Sequence, residues 1–172
     1  RDLESNHTAE LYMVWAEKIK FVNETIKANH YNSDFFVWCD IGIFRERQYI
    51  INNYTSNKLM LQDKISLGII NEPTAKEIED EYKDFSSNVI QAGYAVGDKR
   101  SWKIYDYIYD ITRKDLMDKN ILSGKDQTVM TTAVLRYPML FNLIYQDPRD
   151  FGNRWWYGLI HYSSQNDNKY DN

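Results

Sequence analysis

The feature that most constrains the fold is a nearly unbroken apolar run, Phe35–Cys39, which ends on Asp40. Such a run predicts a strand buried on both faces, which is typical of parallel sheets. Gly42 comes two residues after the aspartate. Asp and Gly are common turn residues, but a carboxylate at a strand end is also a candidate site residue. The rest of the chain must decide between these two interpretations.

A long amphipathic helix is predicted before this strand, over about residues 8–28. Five apolar residues recur there at spacings of three and four: Val14, Trp15, Ile19, Val22 and Ile26. This spacing places them on one face of a helix. Lys18 lies on the same stripe, so its ammonium group either snorkels to the helix edge or points at an anionic group. The sequence favours snorkelling.

Further elements alternate along the chain. Residues 88–97 predict a second buried strand with Gly93 inside it, where a glycine often marks close approach of backbone or ligand. Ser101 is the predicted cap of a helix, and another helix begins near Asp126 and ends before Pro138. A late strand is predicted to reach His161.

Three shorter segments complete the prediction. Residues 64–70 form either a short strand or a piece of helix, and a short acidic surface helix follows Pro73. Helices that alternate with buried strands indicate an α/β fold, here a three-layer α/β/α domain over residues 1–163. Residues 164–172 are expected to be a polar, disordered tail.

Charge and cysteine content exclude several classes of function. The net charge is −4, and the basic residues are scattered, so we expect no nucleic-acid partner. No apolar run approaches the roughly 20 residues of a membrane span. The single cysteine, Cys39, fits a reducing compartment, which predicts a cytoplasmic protein.

Polar residues follow several predicted strands or begin a helix. They are Asp40, the pair Gly97 and Asp98, Asp126, and His161. In open α/β sheets, ligands bind outside the carboxyl ends of the strands, so we expect these residues to share one cleft. Carboxylate and imidazole ligands suit Mn²⁺ or Mg²⁺. The structural alternatives stay open: a turn at Asp40, a helix N-terminus at Asp126, and a hydrogen-bonded strand residue at His161.

Other chemistries lack their motifs. The chain has no G-x-S-x-G serine, no P-loop and no G-x-G-x-x-G. Cys39 lies among apolar residues, which raise a thiol pKa and make it unreactive. Nucleophilic catalysis and dinucleotide binding are therefore not expected.

The order of four segments resembles the HtrL/YibB-like proteins: "NHTAELYMVWAEKIKFVNETIKAN", "FFVWCDIGIFR", "GKDQTVMTTAVLRYP" and "RWWYGLIHYSS". The resemblance covers roughly residues 6–163. That family in turn looks like glycosyltransferases of the GT-A fold. The resemblance implies a GT-A-like domain with a mixed central sheet. It also implies an enzymatic role, not a purely structural one.

A more distant similarity is to glycogenin-like retaining glycosyltransferases. It implies one role for each matched residue: metal ligands at Asp40 and His161, donor-sugar contacts at Gln91, Ala92 and Gly93, and catalytic positions at Asp126 and Gln127. Gly42 departs from the pattern, because it stands where the family has a second carboxylate. A GT-A domain ordinarily begins with a nucleotide-binding βαβ unit, so we expect that unit to be missing or truncated.

The resemblance implies transfer of a sugar from a nucleotide-sugar donor to an unknown glycan or protein acceptor. A divalent metal on Asp40 and His161 would stabilise the leaving diphosphate, and Lys18 would assist. The alternative is a noncatalytic carbohydrate-binding or assembly protein on a decayed glycosyltransferase fold. Gly42 and the many aromatic residues favour this alternative. The sequence does not define the oligomeric state.

Overall fold

The computed structural model describes residues 7–44, 57–79, 89–145 and 155–164. Its strands are β1 (Phe35–Cys39), β2 (Ile65–Ile69), β3 (Ile90–Asp98) and β4 (Phe141–Tyr145). Its helices are α1 (Ala9–Ala16), α2 (Lys18–Ala28), α3 (Ala75–Glu79), α4 (Lys99–Asp118), α5 (Asp126–Arg136) and α6 (Gly158–Ser164). The fold is therefore α/β, as predicted. All but the first residue of the predicted tail lies outside the described residues.

The four strands form one mixed sheet in the order β1-β3-β2-β4. β3 runs antiparallel to both β1 and β2, whereas β2 and β4 are parallel. The prediction that β1 is a fully buried strand in parallel surroundings is therefore wrong: β1 lies at the edge of the sheet, antiparallel to β3, and Phe36 is its one buried residue. β4 was not predicted; it is a short strand in which only Phe141 is buried.

A β-bulge interrupts β3 beside the end of β1. Leu67 pairs with Ala95, but the next residue of β2, Gly68, pairs with Gln91. The residues between them, 92–94, are skipped in the pairing with β2, so the bulge redirects their backbone groups. Bulges of this kind are common next to functional sites.

The predicted first helix is divided in two at Glu17. The Glu17 amide donates to both the Met13 and Val14 carbonyls at 3.2 Å, a shared bond typical of a tightened helical turn. A single apolar stripe does not reveal such a break, because the spacing stays at three and four across it. As a result, Lys18 becomes the first residue of α2.

The other helices agree with the sequence at α5 and disagree at two places. Asp98, not Ser101, caps α4: its side chain accepts the Ser101 backbone N–H. The segment predicted as a late strand is instead α6, preceded by a 3₁₀ turn at Trp155–Tyr157. Its apolar residues are consecutive over a short span, and such runs do not distinguish a buried helix from a strand.

Two apolar clusters cover the two faces of the sheet. The first joins β-strand residues to α2, α4 and α5 through residues such as Val22, Trp102 and Val129. The second joins the opposite face to α6 and includes Tyr94, Leu159 and Ile160. Tyr157 is buried in this second cluster. No helix in the described part of the chain has the length and apolar character needed to cross a membrane.

Candidate functional site

Asp40 lies directly after β1, where its backbone continues the pairing with β3. Its amide donates to the Gly93 carbonyl at 2.8 Å, and its own carbonyl begins the 3₁₀ turn Ile41–Ile43. The side chain makes no capping hydrogen bond to that turn. The carboxylate instead contacts Lys18 and Trp38, so a turn does not explain why an aspartate stands here.

Lys18 points inward and does not snorkel. Its side chain is 8% exposed, and its ammonium nitrogen Nζ lies 2.9 Å from Asp40 Oδ2 and 2.7 Å from Asp126 Oδ2. The same ammonium donates to the Ala92 carbonyl at 3.4 Å. A positive charge in the first turn of a helix is unfavourable, so the two carboxylates compensate for its position.

Asp126 combines both roles that the sequence left open. As the first residue of α5 it lies where the helix dipole favours a carboxylate, and its Oδ1 accepts the Gln127 N–H at 2.8 Å. Its Oδ2 pairs with Lys18. The side chain is 6% exposed, whereas that of Asp40 is 36% exposed. Asp40 is therefore the member of the cluster that solvent and ligands reach.

The irregular part of β3 contributes two backbone carbonyl groups to this cluster. It turns the Ala92 carbonyl toward Lys18 and the Gly93 carbonyl toward Asp40. A β-carbon on Gly93 would lie 3.3 Å from the side chain of Ile43 and 3.5 Å from Asp40 Oδ2. The glycine thus lets Ile43 and the Asp40 carboxylate lie close to the β3 backbone, the close approach expected of a glycine inside a strand.

Burial and charge oppose each other in this cluster. Burial lowers the pKa of Lys18, but the attraction of Asp126 and Asp40 outweighs it, so the pKa is raised overall. Burial raises the pKa of Asp126, and the Lys18 ammonium only partly offsets this. Lys18 is therefore charged at neutral pH. With both carboxylates ionised, the cluster carries one excess negative charge.

The two predicted glutamines are held by backbone groups. Gln127 donates its side-chain amide to the Ile90 carbonyl at 2.9 Å, and this bond ties α5 to β3. Gln91 is fully buried and donates to the Trp156 carbonyl. The first bond joins α5 to β3, and the second joins β3 to the 3₁₀ turn before α6.

His161 lies on α6, not at a strand end, and its ring packs against Tyr157 with centroids 5.9 Å apart. The Asp40 carboxylate contacts Lys18 and Trp38, not this histidine. Among the described residues, no group of three or more His, Cys, Asp or Glu side chains is placed to hold a metal ion. The metal-ligand roles of Asp40 and His161 stay predictions.

Gly97 and Asp98 lie at the opposite end of the β1–β3 pair from Asp40. They pair with Phe36 and Phe35, respectively. The expectation that they share a cleft with Asp40 is wrong, because antiparallel strands place their carboxyl ends at opposite edges of the sheet.

Trp38 belongs to the cluster but was not predicted. Its indole Nε1–H donates to Asp40 Oδ1 at 3.1 Å, and its ring centroid lies 5.8 Å from Lys18 Nζ. Residues two apart in a strand point to the same face, so its spacing from Asp40 was an available signal. Cys39 is an exposed residue at the end of β1. Partial burial of its thiol and the nearby Asp40 charge raise its pKa to about 11, the direction that the sequence predicted.

These features define a mixed α/β domain with a buried ammonium group between two carboxylates at a bulged strand. A family model described as "Bacterial protein of unknown function (HtrL_YibB)" matches residues 2–155. The chain therefore belongs to the HtrL_YibB family, as the sequence resemblance predicted. No curated protein and no solved structure matches the chain.

Proposed function

We propose that the chain transfers a glycosyl group from a nucleotide-sugar donor to a glycan or protein acceptor at the Lys18–Asp40–Asp126 cluster. The observation that carries the proposal is the contact of one ammonium group with two carboxylates at 2.9 and 2.7 Å. Buried charges are costly, and strongly perturbed groups of this kind concentrate at functional sites. The GT-A resemblance supplies the class of reaction.

The charge of the cluster suits glycosyl transfer. The bond between the sugar's anomeric carbon and the phosphate oxygen of the donor breaks, its electron pair leaves with the nucleoside diphosphate, a bond to the acceptor oxygen forms, and the acceptor hydroxyl passes its proton to the departing diphosphate. The anomeric carbon becomes positively charged in the transition state. The one excess negative charge of the cluster would stabilise that carbon.

The members of the cluster divide the work by exposure. Asp40 is 36% exposed and would contact the sugar directly. Asp126 is 6% exposed, so its carboxylate would act mainly through Lys18, which holds both carboxylates in place. Gly93 would support the site by letting the Asp40 carboxylate lie close to the β3 backbone. Gln127 and Gln91 would support the site through the backbone groups they bind.

The Mn²⁺ or Mg²⁺ predicted from the resemblance stays a prediction. The described residues do not fit a resident metal, because Gly42 brings no carboxylate and Lys18 already occupies the space between Asp40 and Asp126. We therefore assign no step of the transfer to a metal ion.

The noncatalytic alternative is favoured by Gly42, which brings no second carboxylate beside Asp40. Gln91 and Gln127 use their side-chain amides to hold the fold together, which a binding protein needs as much as an enzyme does. In this alternative, a saccharide binds at Asp40 without reacting.

Calorimetric titration with UDP-, GDP- and CDP-sugars, each with and without Mn²⁺, tests the proposal. We expect one donor to bind to the wild-type chain and to lose affinity on Asp40→Asn. Asp34→Asn is the matched control, because that carboxylate is 83% exposed and lies just before the same strand. Transfer or hydrolysis of the bound donor would then establish the enzyme.

Two results would overturn the proposal. One is the absence of donor binding by folded protein. The other is binding that Asp40→Asn and Asp34→Asn affect equally. Binding of saccharides that carry no nucleotide, with no binding of any donor, would establish the noncatalytic alternative.

A further inference from the structure

The Lys18 ammonium lies at a point where three oxygen atoms converge. These are Asp40 Oδ2 at 2.9 Å, Asp126 Oδ2 at 2.7 Å and the Ala92 carbonyl at 3.4 Å. Carboxylate and carbonyl oxygens are the ligands that Mn²⁺, Mg²⁺ and Ca²⁺ prefer. The oxygens therefore form an arrangement suited to a cation, and an amino group of the chain fills it.

The remaining hydrogen-bonding groups of the cluster are also engaged. The ammonium donates hydrogen bonds to Asp40 Oδ2 and to the Ala92 carbonyl, and Asp126 Oδ2 is held beside it as an ion pair. The second oxygen of Asp40 accepts from Trp38, and that of Asp126 accepts from the Gln127 backbone. A divalent ion entering here would meet a positive charge a few ångströms away, in a place where water screens poorly.

We propose that Lys18 is the built-in cation of this site and that it excludes divalent metal from the two carboxylates. The free protein then binds no Mn²⁺ at Asp40 and Asp126. Replacement of Lys18 by a neutral residue of similar length turns the same three oxygens into a Mn²⁺ site. This inference concerns the metal alone and goes beyond the proposed function, since it holds whether or not the chain transfers sugars.

The experiment is a Mn²⁺ titration of the full chain, with free Mn²⁺ measured by electron paramagnetic resonance. The variants are Lys18→Met, Lys18→Arg and the double variant Lys18→Met/Asp126→Asn. Lys20→Met is the matched control, because it removes the same charge from α2 at a residue whose side chain is 41% exposed. Thermal unfolding with and without Mn²⁺ gives a second readout, since a ligand that binds only the native state raises the melting temperature.

We expect Lys18→Met to bind Mn²⁺ at least about tenfold more tightly than the wild type and to be stabilised by it. Lys18→Arg and Lys20→Met should behave like the wild type, because the first keeps the charge in the site and the second leaves the site intact. The double variant should lose the gain, because it lacks one of the two carboxylates.

Wild-type Mn²⁺ binding that disappears on Asp40→Asn would overturn the inference, since it would show that Lys18 does not keep metal away. A folded Lys18→Met that binds no more Mn²⁺ than Lys20→Met would overturn it as well. If Lys18→Met does not fold, Lys18→Gln takes its place, and the wild-type comparison with Asp40→Asn still decides. Donor titrations are separate measurements, so failure of the proposed function is recognised independently.

Discussion

The two ends of the β1–β3 pair each carry an aspartate, and the two aspartates have different roles. At one end Asp40 follows β1 and contacts the buried ammonium of Lys18. At the other end Asp98 closes β3 and accepts backbone N–H groups from Ser101 and Asp63. The first is part of a charged cluster, and the second is a helix cap. An aspartate at a strand end is therefore ambiguous until its partners are known.

The two ends also differ in how their glycines are used. At Gly93, near Asp40, a β-carbon would lie 3.3 Å from the Ile43 side chain and 3.5 Å from Asp40 Oδ2, whereas Gly97, next to Asp98, is pressed more closely against Ile65, the Lys64 carbonyl and Trp102. The Asp40 end is arranged around charge, and the Asp98 end around close packing. Substitutions at the two ends should therefore destabilise the protein for different physical reasons.

The largest effect on stability is expected from Lys18→Met. It leaves the buried Asp126 without its partner, and removal of one member of a buried ion pair costs about 3–5 kcal/mol. Lys20→Met, at a half-exposed ion pair, should cost no more than about 1 kcal/mol. Urea unfolding at neutral pH measures both. Equal losses for the two variants would show that the Asp40 end is not organised around charge.

The glycine pair gives the next largest effect. Gly97→Ala would overlap the end of the Ile65 side chain and approach the Lys64 carbonyl to 3.2 Å, so it should cost about 1–3 kcal/mol, as overpacking does. Gly93→Ala meets nothing closer than 3.3 Å and should cost less, but it should weaken donor binding. Chemical denaturation and calorimetry separate the two effects. A reversed order of stability would contradict the contrast between the two ends.

The two aspartates should give pH dependences of opposite sign. Burial raises the pKa of Asp98, but hydrogen bonds from the Ser101 and Asp63 backbone outweigh it and lower the pKa below the ordinary 3.8. Its contribution to stability is present above pH 3.8 and is lost as the pH falls through the lowered value. The pKa of Asp126 is raised, mainly by burial. Its contribution is present below pH 3.8 and is lost as the pH rises through the raised value.

Unfolding by urea across the acid range measures these slopes. Asp98→Ala should flatten the loss of stability below pH 3.8 and cost about 0.5–2 kcal/mol at neutral pH, as loss of a helix cap does. Asp126→Asn should flatten the slope on the other side of pH 3.8. Slopes of the same sign in the two variants would count against the assigned environments.

The smallest effect is expected from Gly42→Asp, which restores the second carboxylate of the glycogenin-like pattern. A β-carbon there has no heavy atom within 4 Å, so the change in stability should stay within about 0.5 kcal/mol. Thermal unfolding measures it, with Gly97→Ala as the crowded counterpart. A large loss would show that the 3₁₀ turn after Asp40 requires glycine for another reason.

Much of the fold was predictable because local patterns carry it. The bounds of β1 agree with the predicted strand, and α5 begins and ends where the sequence indicated. The segment around His161 was predicted wrongly, because a short apolar run fits a strand or a helix equally well. The break at Glu17 was missed, since the apolar spacing continues across it.

The sequence by itself predicted the α/β class, the family and, as site residues, the three charged members of the cluster, Lys18, Asp40 and Asp126. Apolar periodicity and polar residues at strand ends are local signals, and they can be recognised without knowing which residues are in contact in the fold. Only the tertiary structure decided that Lys18 is buried between those carboxylates and that Asp98 lies at the far edge. Both depend on strand direction and on a bulge in β3, and these are set by contacts between residues far apart in the chain.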